Sequence, residues 1–126
     1  MEKHIIYIGI GTNLEDGETV LQWAKRHLIQ SFGGQQRYST PQRTEPVDFP
    51  GSQMFTNQVA LIETSVSPTL IRSLLKDLEC QFGRTPEDKA KGLVRIDLDL
   101  LCLDGQVLKV KDWNRADVVA ACAELV

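Results

Sequence analysis

Cationic clusters, paired cysteines and long apolar runs are all missing from this 126-residue chain, and each absence removes a class of function. Fourteen Lys and Arg stand against seventeen Asp and Glu, for a net charge of −3. With no basic cluster to offset that balance, a nucleic-acid partner is not expected. Cys80, Cys102 and Cys122 are odd in number and show no C-x-x-C spacing. They read as small core residues of a protein kept in a reducing compartment. No apolar stretch reaches the ~18 residues that a membrane span needs. The run Ile5-Ile6-Tyr7-Ile8-Gly9-Ile10 is too short, and too polar in its flanks, for a signal peptide. The expectation is a cytoplasmic protein with no membrane partner.

Catalytic signatures are scarce as well. The segment Gly9-Ile10-Gly11-Thr12-Asn13 lacks the lysine and the G-x-x-x-x-G-K spacing of a phosphate-cradling loop, and a lone G-x-G is a weak signal. His4 and His27 are isolated, so neither a His/Cys metal cluster nor a Ser-His-Asp arrangement can be assembled. A phosphate-rich ligand would therefore have to be held by scattered arginines or by bound cations.

What is present is ordinary in bulk: 42% apolar and 25% charged residues, enough for one domain over 1–126 with its own core. The informative stretch is Arg95-Ile96-Asp97-Leu98-Asp99-Leu100-Leu101. Side chains alternate along a strand, so Asp97 and Asp99 share one face while Ile96, Leu98 and Leu100 share the other. Their Cα atoms then lie about 6.5–7 Å apart. Two carboxylates at that spacing can hold one cation jointly or two side by side. Left uncompensated they repel each other and lose hydration, so positive charge is expected above that face. A solvated sheet face with two ordinary acids is the plain alternative. Oxygen-only ligands suit Mg²⁺, which keeps several waters and shares its other positions with phosphates.

The rest of the chain supplies the frame. Ile5 to Ile10 is rich in β-branched residues and reads as a strand, followed by a turn at Gly11-Thr12-Asn13. From Thr19 onward Val20, Leu21, Trp23, Ala24, His27, Leu28 and Ile29 recur near helical spacing, with acids at the start and Gly33-Gly34 as the stop. Gln35 to Thr40 reads as a short polar strand, Pro41 to Gly51 as a long loop, and Phe55 to Thr64 as a strand. Ser67-Pro68 opens a second helix whose buried stripe is Leu70, Ile71, Leu74, Leu75, Leu78 and Phe82. Gly83 ends it, and a charged loop runs from Arg84 to Gly92. After the D-x-D strand, Asp104-Gly105 signals a hairpin with Val107, Leu108 and Val110 returning, and Trp113 to Leu125 reads as a terminal helix. This order predicts an α+β ferredoxin-like βαββαβ sandwich: an antiparallel sheet with two helices on one face, a β-hairpin, a C-terminal helix, and the other sheet face free for a ligand.

Several segments then resemble one family in the right order. Tyr7-Ile8-Gly9-Ile10-Gly11-Thr12-Asn13-Leu14 is similar to its opening Y-I-A-L-G-S-N-L, and Arg43-Thr44-Glu45-Pro46-Val47 to its R-T-x-P loop. Phe55-Thr56-Asn57 is similar to its aromatic-x-Asn, and Arg95 to Leu101 to its R-x-(x)-D-[IL]-D-[IL]-[LM] signature. The family is 6-hydroxymethyl-7,8-dihydropterin pyrophosphokinase, an enzyme of folate synthesis, and the likeness runs from about Tyr7 to Val107. The resemblance implies transfer of diphosphate from ATP to the pterin hydroxymethyl group, with release of AMP. It implies two Mg²⁺ ions on Asp97 and Asp99, and a pterin site formed by Thr44, Pro46, Val47, Phe55 and Asn57. Asn57 would read the pterin's amide edge and Phe55 would stack on its ring, although a core aromatic fits Phe55 equally well. Glu79, Arg84, Leu100 and Arg115 would meet the nucleotide, and Arg84 and Arg95 would act in catalysis.

The departures are concentrated. One residue, not two, separates Arg95 from Asp97, which on a strand moves Arg95 onto the acids' own face as a phosphate contact or a counter-charge. Lys91 stands where the family carries a loop tryptophan. A V-P-H segment is lacking between the hairpin and Asn114-Arg115-Ala116-Asp117-Val118-Val119, the part similar to the family's N-R-x-F-[VL]-L. Asp117 stands in place of a second pterin-stacking aromatic. Two readings follow: an active but minimal pyrophosphokinase, or a non-catalytic or re-purposed nucleotide- or metal-binding relative.

Overall fold

Strand β1 (His4–Thr12) lies at the centre of a sheet because it is apolar on both faces, and every later element is placed against it. In this computed structural model, which describes residues 2–46 and 53–126, the chain continues through α1 (Gly17–Phe32), β2 (Gln35–Tyr38), β3 (Gln42–Thr44) and β4 (Phe55–Thr64). It then runs through α2 (Pro68–Phe82), a 3-10 turn at Lys89–Lys91, β5 (Asp97–Leu103), β6 (Gln106–Val107), α3 (Val110–Trp113) and α4 (Ala116–Leu125). The strands form an open antiparallel sheet in the order β2-β4-β1-β5-β6, with β3 paired to the far end of β4. The molecule is α+β, as expected.

Helices α1 and α2 cover one face. Ile6, Ile8 and Ile10 of β1, Ala60 and Ile62 of β4, and Leu98 and Leu100 of β5 are buried against Val20, Leu21, Ala24 and Leu28 of α1 and Ile71, Leu75 and Leu78 of α2. Burying each large aliphatic side chain contributes roughly 1.5–3 kcal/mol, so this layer dominates the stability of the fold. Pro68 occupies the first turn of α2, and Gly83 ends it in the left-handed region at φ 109°. Gly33 caps α1, and at the following Gly34, at φ 63°, a Cβ would lie 1.8 Å from the Glu63 carbonyl oxygen, so only glycine fits there.

The opposite face is not free. Helix α4 lays Val118, Ala121 and Leu125 on Val59 and Leu101, and the Tyr7 and Trp113 rings meet edge-on at 5.1 Å. Leu101 follows Asp97 and Asp99 onto this face, and a β-bulge beside it, where Tyr7 pairs with Cys102 but Ile8 with Leu100, leaves it without a partner on β1. The expected ligand face is thus reduced to the end of the sheet beyond the N-terminus of α4.

Smaller differences have local causes. The expected Pro41–Gly51 loop contains β3, held by the register Gln42↔Asn57 and Thr44↔Phe55. The return strand stops after Val107, and Val110 begins α3 instead. Leu70, expected in the buried stripe, is 55% exposed at the first turn of α2, while Glu79 on the same helix is buried. Cys102 is buried, but Cys80 is exposed.

Candidate active site

The site grows from the end of β1. Thr12 donates its hydroxyl hydrogen to the Arg95 carbonyl (2.7 Å), and Asn13 closes three hydrogen bonds onto the incoming segment. Its backbone N–H donates to the Val94 carbonyl (2.9 Å), its Oδ1 accepts from the Val94 N–H (2.8 Å), and its Nδ2 donates to the Gly92 carbonyl (2.9 Å). Both residues are buried. They fix where β5 starts, and therefore which way its first residues point.

Because β5 begins at Asp97, the alternation holds there: Leu98 and Leu100 enter the core, and Asp97 and Asp99 share the opposite face. The expected positive charge is present. Arg84 donates from one Nη to Asp97 Oδ1 (3.1 Å), to Glu79 Oε2 (2.8 Å) and to the Ile96 carbonyl (3.3 Å), and Lys109 donates to Asp99 Oδ1 (2.9 Å). Burial and the adjacent Asp99 carboxylate push the Asp97 carboxyl up from its usual value to about 7, with Arg84 pulling the other way. The hydrogen bond to Asp99 in turn raises the Lys109 ammonium above its ordinary value.

A cavity of about 790 Å³ opens over this end of the sheet, lined among others by Thr44, Phe55, Asn57, Glu79, Arg84, Asp97, Arg115 and Asp117. A smaller hollow of about 50 Å³ beneath α4 is shared by Gly9, Gly11, Asn57, Asp97, Asp99 and Asp117. Asn57 stands between the two, its Nδ2 donating to Thr44 Oγ1 (2.6 Å). A Cβ on Gly11 would come within 2.9 Å of Asn57 Oδ1, so glycine there lets the amide lie flat against β1. Arg115 grips Asp117 through Nε (3.1 Å) and Nη2 (2.8 Å). Burial alone would raise the Asp117 carboxyl, but those bonds outweigh it and hold the group below the usual carboxylate range.

Most of the expected site residues are therefore brought together: Thr44, Phe55, Asn57, Glu79, Arg84, Asp97 and Arg115 around the larger cavity, with Asp99 beside them. Two are not. Arg95 lies two residues before β5 and is not among the residues lining either hollow; its Nε donates to the buried Asp88 at 3.2 Å, which does line the larger cavity. Leu100 is buried between the sheet and the α1/α2 layer, on the face away from the acids. Pro46 is half-buried in the loop after β3, and Val47 lies outside the described residues. Sequence reasoning missed Lys109 and Asp88, and left Thr12 and Asn13 as a simple turn. The G-T-N of the opening motif was the available signal for the last two. For Lys109 there was none, since an extended return strand would have carried it along the sheet edge.

The donor set fits Mg²⁺. No group of three or more His, Cys, Asp or Glu able to hold an ion exists among the described residues. The acid pair supplies two hard oxygen ligands beside a cavity, leaving the remaining positions to water and phosphate, which is how that ion prefers to bind.

A family model for 7,8-dihydro-6-hydroxymethylpterin-pyrophosphokinase matches residues 7–126. The chain belongs to this family. The pyrophosphokinase match takes in the segment carrying Arg115 and Asp117 and runs on through the whole of α4. Among similar proteins, the 2-amino-4-hydroxy-6-hydroxymethyldihydropteridine pyrophosphokinase of Bacillus subtilis is 29% identical over 98% of this chain and 78% of its own length. The enzyme of the same name from Pseudomonas putida is 28% identical over 81% of this chain and 84% of its own. That from Porphyromonas gingivalis is 31% identical over 77% and 67%.

Proposed function

We infer that this chain is an ATP-dependent pyrophosphokinase that transfers the diphosphoryl group of ATP to the hydroxymethyl oxygen of 6-hydroxymethyl-7,8-dihydropterin, in folate synthesis. The oxygen–β-phosphorus bond forms, the bond from the β-phosphorus to the oxygen it shares with the α-phosphorus breaks, and AMP departs. The observation that carries the reading is the meeting of the Asp97/Asp99 face, Arg84 and Asn57 at one cavity in a member of this family. Such chemistry needs positioning and charge neutralisation more than a covalent nucleophile.

Each residue has a part. Asn57, braced by Thr44, presents its amide to the pterin edge, and Phe55 packs on the ring. Asp97 and Asp99 would hold two Mg²⁺ ions, which supply charge neutralisation at the phosphates. Arg84, already fixed by Glu79, lies where it can share its charge between Asp97 and a phosphate oxygen. Arg115 reaches the cavity from the start of α4. The β2-β4-β1-β5 order with α1 and α2 on one face supports a ferredoxin-like arrangement. No helix among the described residues is long and apolar enough to cross a membrane. Three free cysteines suit a cytoplasmic setting, and the absence of a basic cluster in the sequence suits small-molecule partners rather than nucleic acid.

A non-catalytic role is the second reading, favoured by Lys91 and Asp117 at positions where the resemblance calls for aromatics. AMP formation from ATP and Mg²⁺, with and without the hydroxymethyl pterin, separates the two. Pterin-dependent AMP is expected; none at any enzyme concentration, with both ligands bound, would favour the second.

A further inference from the structure

Each acid of the pair carries its own cation, and the two cations are held in different ways. Arg84 is anchored three times, by Glu79, Asp97 and the Ile96 carbonyl. Lys109 hydrogen-bonds Asp99 at 2.9 Å, with Asp97 and Asp112 near enough to act on its charge. Its side chain is 41% exposed and sits where β6 gives way to α3, two residues beyond the last strand residue, Val107. An ammonium on a four-carbon stem can turn away from one acceptor to another, which the Arg84 guanidinium, with one Nη shared among three acceptors, cannot do without breaking several bonds.

We propose that Lys109 is a displaceable resident cation: it neutralises Asp99 until a divalent ion arrives, and then serves as a ligand to the nucleotide's phosphates. The proposal rests on the pyrophosphokinase reading for its second half only. Two neighbouring carboxylates on one face repel, and in the metal-free protein Lys109 and Arg84 relieve that repulsion. A divalent ion brings twice the charge to the same oxygens and excludes an ammonium from contact with them. Once displaced, Lys109 remains beside a face to which phosphate oxygens would be drawn, and its ammonium could donate to whichever of those oxygens the ions leave uncovered. The same side chain therefore opposes the free ion and assists the nucleotide.

Opposite signs make the test sharp. Mn²⁺ binding is titrated on the nucleotide-free protein, and a non-hydrolysable ATP analogue is titrated with Mg²⁺ present. Removing the competitor in Lys109→Met should tighten Mn²⁺ about threefold, the scale of one exposed ion pair. The same variant should bind the analogue about tenfold more weakly, the scale of one charge-assisted hydrogen bond. Lys109→Arg keeps a cation and should hold analogue affinity within about threefold of wild type. Lys3→Met, which removes a distant lysine paired with Glu63, should move neither measurement and controls for net charge. Mn²⁺ affinity that is unchanged or weaker in Lys109→Met overturns the displacement. Analogue affinity unchanged in that variant overturns the phosphate role. If wild type binds Mn²⁺ but no nucleotide, the pyrophosphokinase reading fails instead, and the Mn²⁺ comparison still decides the displacement.

Discussion

Glu79 on helix α2 accepts a hydrogen bond from the backbone N–H of Leu98 on strand β5 at 2.7 Å. Leu98 lies where β5 has lost its outer neighbour, because β6 pairs only with Cys102 and Leu103. The carboxylate thus replaces a missing strand partner and satisfies a buried donor. It also holds Arg84 at 2.8 Å, so one acid fixes both the strand edge and the cation beside Asp97.

Glu79→Ala should therefore destabilise the ligand-free protein by about 1–3 kcal/mol, the cost of a buried donor left unmade. Thermal or urea unfolding measures it. A Glu79 that served only as a solvated nucleotide contact would leave ligand-free stability unchanged.

Asn13→Ala should loosen the 92–95 segment. The substitution removes both side-chain bonds, to Val94 N–H and the Gly92 carbonyl, and leaves two half-buried groups unpaired, each at the lower end of the range of about 1–3 kcal/mol for a buried group. Faster amide exchange at Val94, with β4 unaffected, is the expected pattern. Equal loosening everywhere would mean that Asn13 supports the whole fold and not the entry to β5.

Asn57→Ala should abolish detectable pterin binding while leaving ATP binding near that of wild type. Thr44→Val, which removes the 2.6 Å acceptor of the Asn57 amide, should weaken pterin binding by a smaller factor. Pterin fluorescence titrations measure both. Equal pterin affinity in wild type and Asn57→Ala would place the pocket elsewhere.

The acid pair also predicts a pH dependence. Burial and Asp99 raise the Asp97 carboxyl from 3.8 to about 7 in the folded protein. The folded state then binds the proton more tightly than the unfolded state, so this group's contribution to stability is fully present below pH ~4, falls as pH rises, and is gone above about 7. In divalent-free buffer Asp97→Asn should be more stable than wild type above pH 7, with the gap closing toward pH 4. Divalent ions compete with the same proton, so Mn²⁺ affinity should weaken as pH falls below 7, by up to about tenfold per unit. A gap independent of pH would show that Asp97 ionises as an ordinary surface acid.

Much of this was legible because local rules and tertiary packing agree. The period-two alternation placed Asp97 and Asp99 together, and Pro68 and Gly83 marked the ends of α2. The setting of Arg95 was not legible: it lies two residues before β5, where Thr12 and Asn13 pin the backbone, and it pairs with Asp88 of the preceding loop. Tertiary contacts of that kind leave no local signature. The bulge at Leu101 is equally silent in a run of apolar residues, since either face would accept a leucine. Coverage of the second sheet face was different: Val118, Ala121 and Leu125 recur at three- and four-residue intervals and mark a buried stripe, which needs an apolar surface to rest on.

The most direct test of the site is the divalent-ion titration in the presence of a non-hydrolysable ATP analogue, for wild type, Asp97→Asn and Asp99→Asn. Losing one charged ligand in a phosphate site removes roughly 1.5–3 kcal/mol, so each variant should bind Mn²⁺ at least about tenfold more weakly. Unchanged affinity in both would contradict the account and leave Asp97 and Asp99 as two ordinary acids on a solvated strand.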